Sequence, residues 1–177
     1  MLPKTKWAID PTHTEIGFKV KHMMFTNVSG KIGKYDSVIE TTGDDFTGAM
    51  VEFTAETDSI TTGTGDRDAH LLSPDFFDAA QFPKLSFIAT SFEKQDEGDF
   101  EITGDLTIHG QTKPVKLSAD FGGLMKDPWG NIKAAFSITG KINRKDWGLN
   151  WNAALEAGGV LVGEEVKIIA EVQLIKQ

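Results

Sequence analysis

The chain has 177 residues, no cysteine and a formal net charge of −8, from 18 basic and 26 acidic residues. This length fits one domain, and the lack of cysteine excludes disulfides, thiolate catalysis and cysteine-ligated zinc. The acidic balance argues against nucleic-acid binding and against electrostatic docking on anionic membranes, because both need clustered Lys and Arg. No apolar run approaches the ~20 residues of a transmembrane helix, so stable membrane insertion is not expected.

The N-terminal sequence leads to an expectation about localisation. Residues 1–7 contain no apolar run of signal-peptide length, and a predicted strand starts at about residue 6. We therefore expect a cytoplasmic protein. An exported protein whose leader had been removed would have the same N-terminus.

Apolar and polar residues alternate with a period of two in one segment after another. In residues 14–22, for example, Ile16, Phe18 and Val20 share one face. Because successive side chains of a strand point to opposite faces, each such segment is predicted to be a strand with one apolar face. In chain order, the predicted strands are 6–10, 14–24, 28–40, 48–60, 84–94, 99–108, 113–123, 132–143 and 164–176.

Turns and short helices separate the predicted strands. Residues 96–99 have the composition of a tight turn. The Ser-Pro-Asp sequence at 73–75 is typical of a helix N-cap followed by proline at the first helical position, and it predicts a helix over 74–79. A further helical turn is predicted over 67–72, with Asp66 as its N-cap.

Short connections between long strands predict sequential antiparallel neighbours, that is, a meander. An open sheet of this kind would have two unpaired edges, and closure into a barrel removes them. We therefore predict an all-β fold: an extended antiparallel barrel of about eight strands with one or two short helices, in a single domain over 1–177. A barrel of this size is either filled by its own side chains or holds one small ligand.

Candidate ligand-binding residues come from the apolar faces and from the ends of two strands. Twelve phenylalanines against one tyrosine favour an apolar ligand, or a filled core, over a sugar or nucleotide site. His22 and Arg144 are candidates for polar contacts at the barrel mouth, together with Asp146 and Trp147. A hydrogen-bonded core histidine and surface salt bridges are the ordinary alternatives. The candidate set is Phe18, Val20, His22, Phe53, Phe87, Leu106, Phe136, Ile138, Ile168 and Arg144.

The sequence contains no motif that predicts a catalytic or metal site. It lacks a nucleophile elbow and a phosphate-binding loop, and Asp66, Asp68 and His70 have no distal ligand set for a metal. We therefore expect a binding protein without a cofactor. The alternatives are an enzyme that uses His13, His22 or His70 as a base, and a filled barrel that binds no ligand.

Seven segments of the chain resemble, in the same order, motifs of the YceI-like, or polyisoprenoid-binding, family. The most specific is RDAHLLSPDFFD at 67–78. The other segments are 7–14, 18–22, 28–30, 82–87, 104–115 and 143–149.

This resemblance implies a lipocalin-like barrel that binds a long-chain amphiphile. The ligand classes it implies are polyisoprenoids, isoprenoid quinones and fatty-acid derivatives, and it implies a homodimer as a common assembly. It carries over no catalytic residue. The family's recurrent polar positions, which have no settled role, are matched by His13, His22, Arg67, Asp68, His70 and Arg144.

Overall fold

The computed structural model describes residues 3–96, 98–156 and 158–177. Glu97, which belongs to the turn predicted at 96–99, lies outside the described residues, as do Met1 and Leu2. No helix in the described residues is both long enough and apolar enough to span a bilayer. The strands are β1 (Lys4–Ile9), β2 (Glu15–His22), β3 (Thr26–Ile32), β4 (Tyr35–Thr42), β5 (Asp45–Glu56), β6 (Ile60–Thr61), β7 (Lys84–Lys94), β8 (Asp99–Ile108), β9 (Gln111–Lys126), β10 (Ile132–Asn143) and β11 (Val162–Lys176). The α-helix is α1 (Gly65–Leu72), and 3-10 helices span Pro11–His13, Thr57–Ser59 and Arg144–Trp147.

The strands of this part of the chain occupy eight positions around a closed antiparallel barrel. β1 and β2 lie end to end beside β11, since Ile9 pairs with Leu174 and Ile16 pairs with Ala170. On their other side, β1 pairs with β4 and β2 pairs with β3. The ring continues through β5, β7, β8, β9 and β10 back to β11. The predicted all-β barrel of about eight strands is therefore confirmed.

Two predicted strands are interrupted. Segment 28–40 is divided at Gly33 and Lys34 into β3 and β4. Segment 48–60 is divided by the 3-10 helix Thr57–Ser59 into β5 and β6, and β6 pairs with β3. Such short interruptions leave the alternation on either side intact, so the sequence pattern does not reveal them.

The helix predictions are partly wrong. α1 begins at Gly65 rather than at residue 67, and Thr64 rather than Asp66 occupies its N-cap position. Segment 74–79 forms turns instead of a helix: the Asp78 amide donates to the Ser73 carbonyl, and Asp78 has a left-handed φ of 48°. The Ser73 hydroxyl does accept the amide of Asp75 at 3.3 Å. Ser73 therefore makes the hydrogen bond that its capping motif predicts, but the segment that follows is a turn and not a helix.

Aromatic side chains fill one end of the barrel, which we call the closed end. Phe46 is only 2% exposed, and its ring centroid lies 4.9 Å from that of Phe136 and 5.0 Å from that of Trp7. Phe92 and Phe121 pack around the same ring. The opposite end, where α1 and the β2–β3 turn lie, we call the mouth.

A buried carboxylate fixes the junction between β1 and β2. Asp10 Oδ2 lies 2.8 Å from Lys133 Nζ on β10 and 2.8 Å from His13 Nδ1, while Thr12 donates to Oδ1. The Lys133 ammonium holds the pKa of the Asp10 carboxyl well below its usual range, and the bonds from Thr12 and His13 act in the same direction against the effect of burial. This network ties the bend in the chain to the barrel wall.

Candidate functional site

The barrel contains an open apolar cavity between the closed end and α1. Its volume is about 390 Å³, compared with about 150 Å³ for an engineered cavity that binds benzene. Phe18, Ile138 and Ile168 line this space and yet are only half-buried. Side chains of a close-packed core have no such free surface, so this part of the interior is not filled by the protein itself.

The structure places all ten residues of the candidate set on the wall of this cavity. They come from six strands and from the segment after β10, because alternation directs every second side chain inward. Phe136 also belongs to the aromatic cluster, so it lies at the floor of the cavity. The ten wall positions are Phe18, Val20, His22, Phe53, Phe87, Leu106, Phe136, Ile138, Ile168 and Arg144.

Sequence reasoning missed wall residues that lie outside the strands. Arg67, His70 and Leu71 of α1 line the cavity. Their i, i+3, i+4 spacing places them on one face of a helix, and this signal is readable in the sequence. Trp151, from the long connection before β11, also lines the cavity. No local pattern identifies it, because the contacts that position it are distant in the chain.

Basic side chains are concentrated at the mouth. His22 comes from the end of β2, Arg67 and His70 come from α1, and Arg144 follows β10. Lys21 borders the same opening, although strand alternation directs its side chain outward. Among the described residues, no Asp or Glu lines the cavity.

Arg144 is a buried cation that holds the mouth together. The residue is 3% exposed. Its Nη1 donates to the carbonyls of Leu149 and Trp151 at 2.6 and 2.9 Å. Its Nε and Nη2 donate to the carbonyls of Gly163 and Val162 at 2.8 and 3.3 Å. Burial lowers the pKa of its guanidinium. The Arg144 side chain thus hydrogen-bonds to both ends of the connection between the 3-10 helix Arg144–Trp147 and β11.

Aromatic contacts join α1 to this connection. The rings of His70 and Trp151 meet edge to face with centroids 4.6 Å apart, and Phe76 packs against both. The Arg144 guanidinium carbon lies 5.9 Å from the centroid of Phe76. His70 Nε2 also lies 2.9 Å from an Asp75 carboxylate oxygen. The cluster therefore brings α1 against the loop that Arg144 holds.

Two residues predicted to accompany Arg144 at the mouth lie elsewhere. Trp147 is 2% exposed, and its Nε1 donates to the Leu106 carbonyl at 2.9 Å within the core. Asp146 is exposed and does not line the cavity. The segment Arg144–Trp147 forms a short 3-10 helix, which turns these side chains away from Arg144. A prediction that continues the strand past residue 143 does not anticipate this helix.

The residues considered as metal ligands have separate partners. The Asp68 carboxylate accepts a 2.6 Å hydrogen bond from Thr61, and bonds of this kind lower its pKa. His70 instead contacts Asp75. In residues 3–96, 98–156 and 158–177, no group of three or more His, Asp or Glu side chains could hold a metal ion.

Comparison with known proteins decides the family. A family model described as YceI-like domain matches residues 7–174. The chain belongs to the YceI-like family. A UPF0312 protein of Staphylococcus epidermidis is 35% identical over 170 residues, which cover 96% of each chain.

Solved structures have the same barrel. A Campylobacter jejuni YceI protein is 32% identical with a TM-score of 0.75, over 95% of this chain and 96% of that one. A polyisoprenoid binding domain from Saccharophagus degradans matches with a TM-score of 0.65 and 12% identity, over 97% of this chain and 98% of that domain. At such low identity, the second likeness concerns the fold alone.

Proposed function

We propose that this YceI-like protein binds the apolar tail of one long-chain amphiphile inside its barrel. The observation that carries the proposal is the unfilled apolar cavity, with half-buried Phe18, Ile138 and Ile168 on its wall. Apolar surface left accessible inside a barrel is stabilised when a ligand removes it from water. The candidate set of ten wall residues is accordingly proposed as the tail-binding surface, with His22 and Arg144 at its polar end.

The size of the cavity suits a single chain. Because a cavity of about 150 Å³ accommodates the six carbons of benzene, the 390 Å³ cavity has room for about a dozen carbons or more. Each buried methylene contributes roughly 0.8 kcal/mol. Ten methylenes therefore contribute on the order of 8 kcal/mol before the costs of association are subtracted.

The ligand classes that we propose are a polyisoprenoid, an isoprenoid quinone or a fatty-acid derivative. All three present a long apolar tail and one polar head, as the wall and the mouth require. The name of the Saccharophagus degradans structure, a polyisoprenoid binding domain, supports this choice.

We propose binding rather than catalysis. The observation most favourable to an enzyme is that Asp75 orients His70 on the cavity wall. A histidine base, however, also needs a nucleophile or an acidic substrate proton within reach. In the described structure, the hydrogen bond of the His70 ring goes to Asp75 and to no hydroxyl group.

The test is binding of N-phenyl-1-naphthylamine, a neutral apolar dye, together with native mass spectrometry of the purified protein. The variant Ile168→Trp places an indole in the cavity and should reduce dye binding at least tenfold. Lys167→Trp, on the exposed face of the same strand, is the matched control and should bind as the parent does. Val20→Phe adds a smaller volume to the cavity wall and should reduce dye binding less than Ile168→Trp does. Equal dye binding by the parent, Ile168→Trp and Val20→Phe, each shown to be folded by circular dichroism, would reject the cavity as the site.

A further inference from the structure

From the charges at the mouth we infer that the cavity selects an amphiphile with an anionic head group, a carboxylate or a phosphate, over one with a neutral head. This inference rests on the proposed binding of a tail. It concerns the head alone, so it can fail while tail binding stands.

The charge of the wall is opposite to the charge of the protein. The chain as a whole has a net charge of −8 with more acidic than basic residues. The described cavity wall nevertheless includes His22, Arg67, His70 and Arg144, and no Asp or Glu. A wall that reflected the overall composition would carry more carboxylates than cations. The local excess of positive charge therefore favours an anion at the mouth.

No carboxylate of the described residues forms a direct ion pair with the buried Arg144, on which Glu164 acts only from a longer range. The four hydrogen bonds of Arg144 go to backbone carbonyls, and no ion pair joins it to a carboxylate of the described residues. The nearby Glu164 is instead paired with Lys145 at 2.8 Å. A buried cation that lacks a direct ion pair is costly, and an anionic head at the mouth would offset that cost.

Unused donors at the mouth match the acceptors of such a head. A guanidinium has five N–H groups. Arg67 uses its Nε and one Nη2 hydrogen on the hydroxyl and carbonyl of Thr62, which leaves three. Arg144 uses four, which leaves one. Carboxylate and phosphate oxygens form charge-assisted hydrogen bonds with such donors, and these are stronger than neutral ones.

Besides Glu164, two carboxylates lie near the basic residues of the mouth without lining the cavity. Asp68 is occupied by Thr61 and Thr62, and Asp75 contacts His70. Asp75 is thus occupied by His70, and neither carboxylate is within ion-pair distance of Arg67 or Arg144 in the described structure. We therefore assign the selection of an anionic head to the two arginines, with His22 beside them on the wall.

The experiment compares four ligands that share one tail. Myristate, myristyl phosphate, myristyl alcohol and myristamide compete with N-phenyl-1-naphthylamine for the parent protein. The two anions are expected to displace the dye at concentrations about tenfold lower than the two neutral ligands, as one charged hydrogen bond implies. Tighter binding of myristate than of myristyl phosphate would identify the ligand as a fatty acid. The opposite order would identify it as a phosphorylated lipid.

The variant Arg67→Gln tests whether Arg67 contributes to the preference for an anionic head. Its control is Lys19→Gln, which removes an equal charge from an exposed position of β2 that does not line the cavity. Arg67→Gln should reduce the preference for anions severalfold, because it weakens displacement by the two anions more than displacement by myristyl alcohol, whereas Lys19→Gln should leave the preference as it is in the parent. Equal displacement by all four ligands would overturn the anion preference but not tail binding. Displacement by none would reject tail binding as well. An unchanged preference in Arg67→Gln would overturn the role of Arg67.

Discussion

The phenyl ring of Phe18 lies over Gly30, the residue that faces it across the β2–β3 pair. A Cβ atom at position 30 would overlap the tip of that ring. Because Phe18 lines the cavity, the missing side chain of Gly30 determines how far the ring extends into the space available to a tail. On the opposite wall, the Phe87 ring likewise lies over Gly104, although Leu106 is the residue that Phe87 pairs with across β7 and β8.

Gly30→Ala is expected to push the Phe18 ring into the cavity. The overlap should destabilise the protein by about 1–3 kcal/mol, as overpacking usually does, and the displaced ring should weaken binding of a long tail. Thermal unfolding and dye binding measure the two effects. Gly65→Ala is the control, since nothing lies within 4 Å of the added methyl group. A Gly30→Ala variant with parental stability and dye binding would contradict this account of the pair.

Arg144→Met is expected to destabilise the mouth. The substitution leaves the carbonyls of Leu149 and Gly163, among others, without their donor. The loss should be roughly 3 kcal/mol, because several hydrogen bonds from a charged group disappear together. Urea unfolding measures it, and Arg144→Lys should fall between the parent and Arg144→Met, because an ammonium reaches fewer carbonyls. The exposed Arg67→Met serves as control, and an equal loss there would argue against a special role for Arg144.

Asp10→Asn is expected to reduce stability in a pH-dependent manner. The pKa of Asp10 is lower in the folded protein than in the unfolded chain, with the Lys133 ammonium as the main cause. The ionised carboxylate therefore stabilises the fold above its unfolded pKa of about 4, and this stabilisation is lost as the pH falls below that value.

At neutral pH, Asp10→Asn should cost about 2–3 kcal/mol in the free energy of unfolding. The difference from the parent should shrink as the pH is lowered towards about 3. Urea unfolding at a series of pH values measures it. Asp36→Asn, at an exposed position of β4, should show no comparable difference, and a pH-independent loss in Asp10→Asn would contradict the ion-pair explanation.

Trp151→Leu is expected to speed the release of a bound ligand. The indole of Trp151 contacts His70 across the mouth, and an aromatic pair of this kind contributes about 0.5–1.5 kcal/mol. Its removal should increase the dissociation rate about two- to tenfold, as measured by stopped-flow dilution of the dye complex. Trp129→Leu is a matched control, because Trp129 is 83% exposed near the closed end. Equal rates in the two variants would argue against a role for the Trp151 contact at the mouth.

The wall of the cavity was predictable because a period of two is a local property of a strand. Once Phe18, Val20 and His22 are assigned to one face, the direction of their side chains follows without knowledge of the rest of the fold. The same logic extended to Ile138 and Ile168. The alternation does not, however, distinguish a filled interior from an open one, since that depends on the summed volume of side chains from every strand.

The mouth was harder to predict because it is built from distant segments. Trp147 follows Arg144 closely and yet lies in the core, where Leu106, 41 residues away, accepts its indole hydrogen. The capping signal at Ser73 predicted a helix, but the same serine can begin a turn, and Asp78 adopts the left-handed conformation that ends it. Local signals identify where the chain changes direction, and tertiary contacts determine what it forms there.

The aromatic cluster around Phe46 gives the cavity a floor. In the proposed complex, a tail therefore cannot pass through the barrel, and the polar head stays beside α1. An acceptor of such a ligand would meet the head first and would withdraw the tail after it. The distance from Phe46 to α1 also limits how many carbons fit below the mouth. The proposed site would thus select the length of a tail by the depth of the cavity, without a side chain dedicated to recognising it.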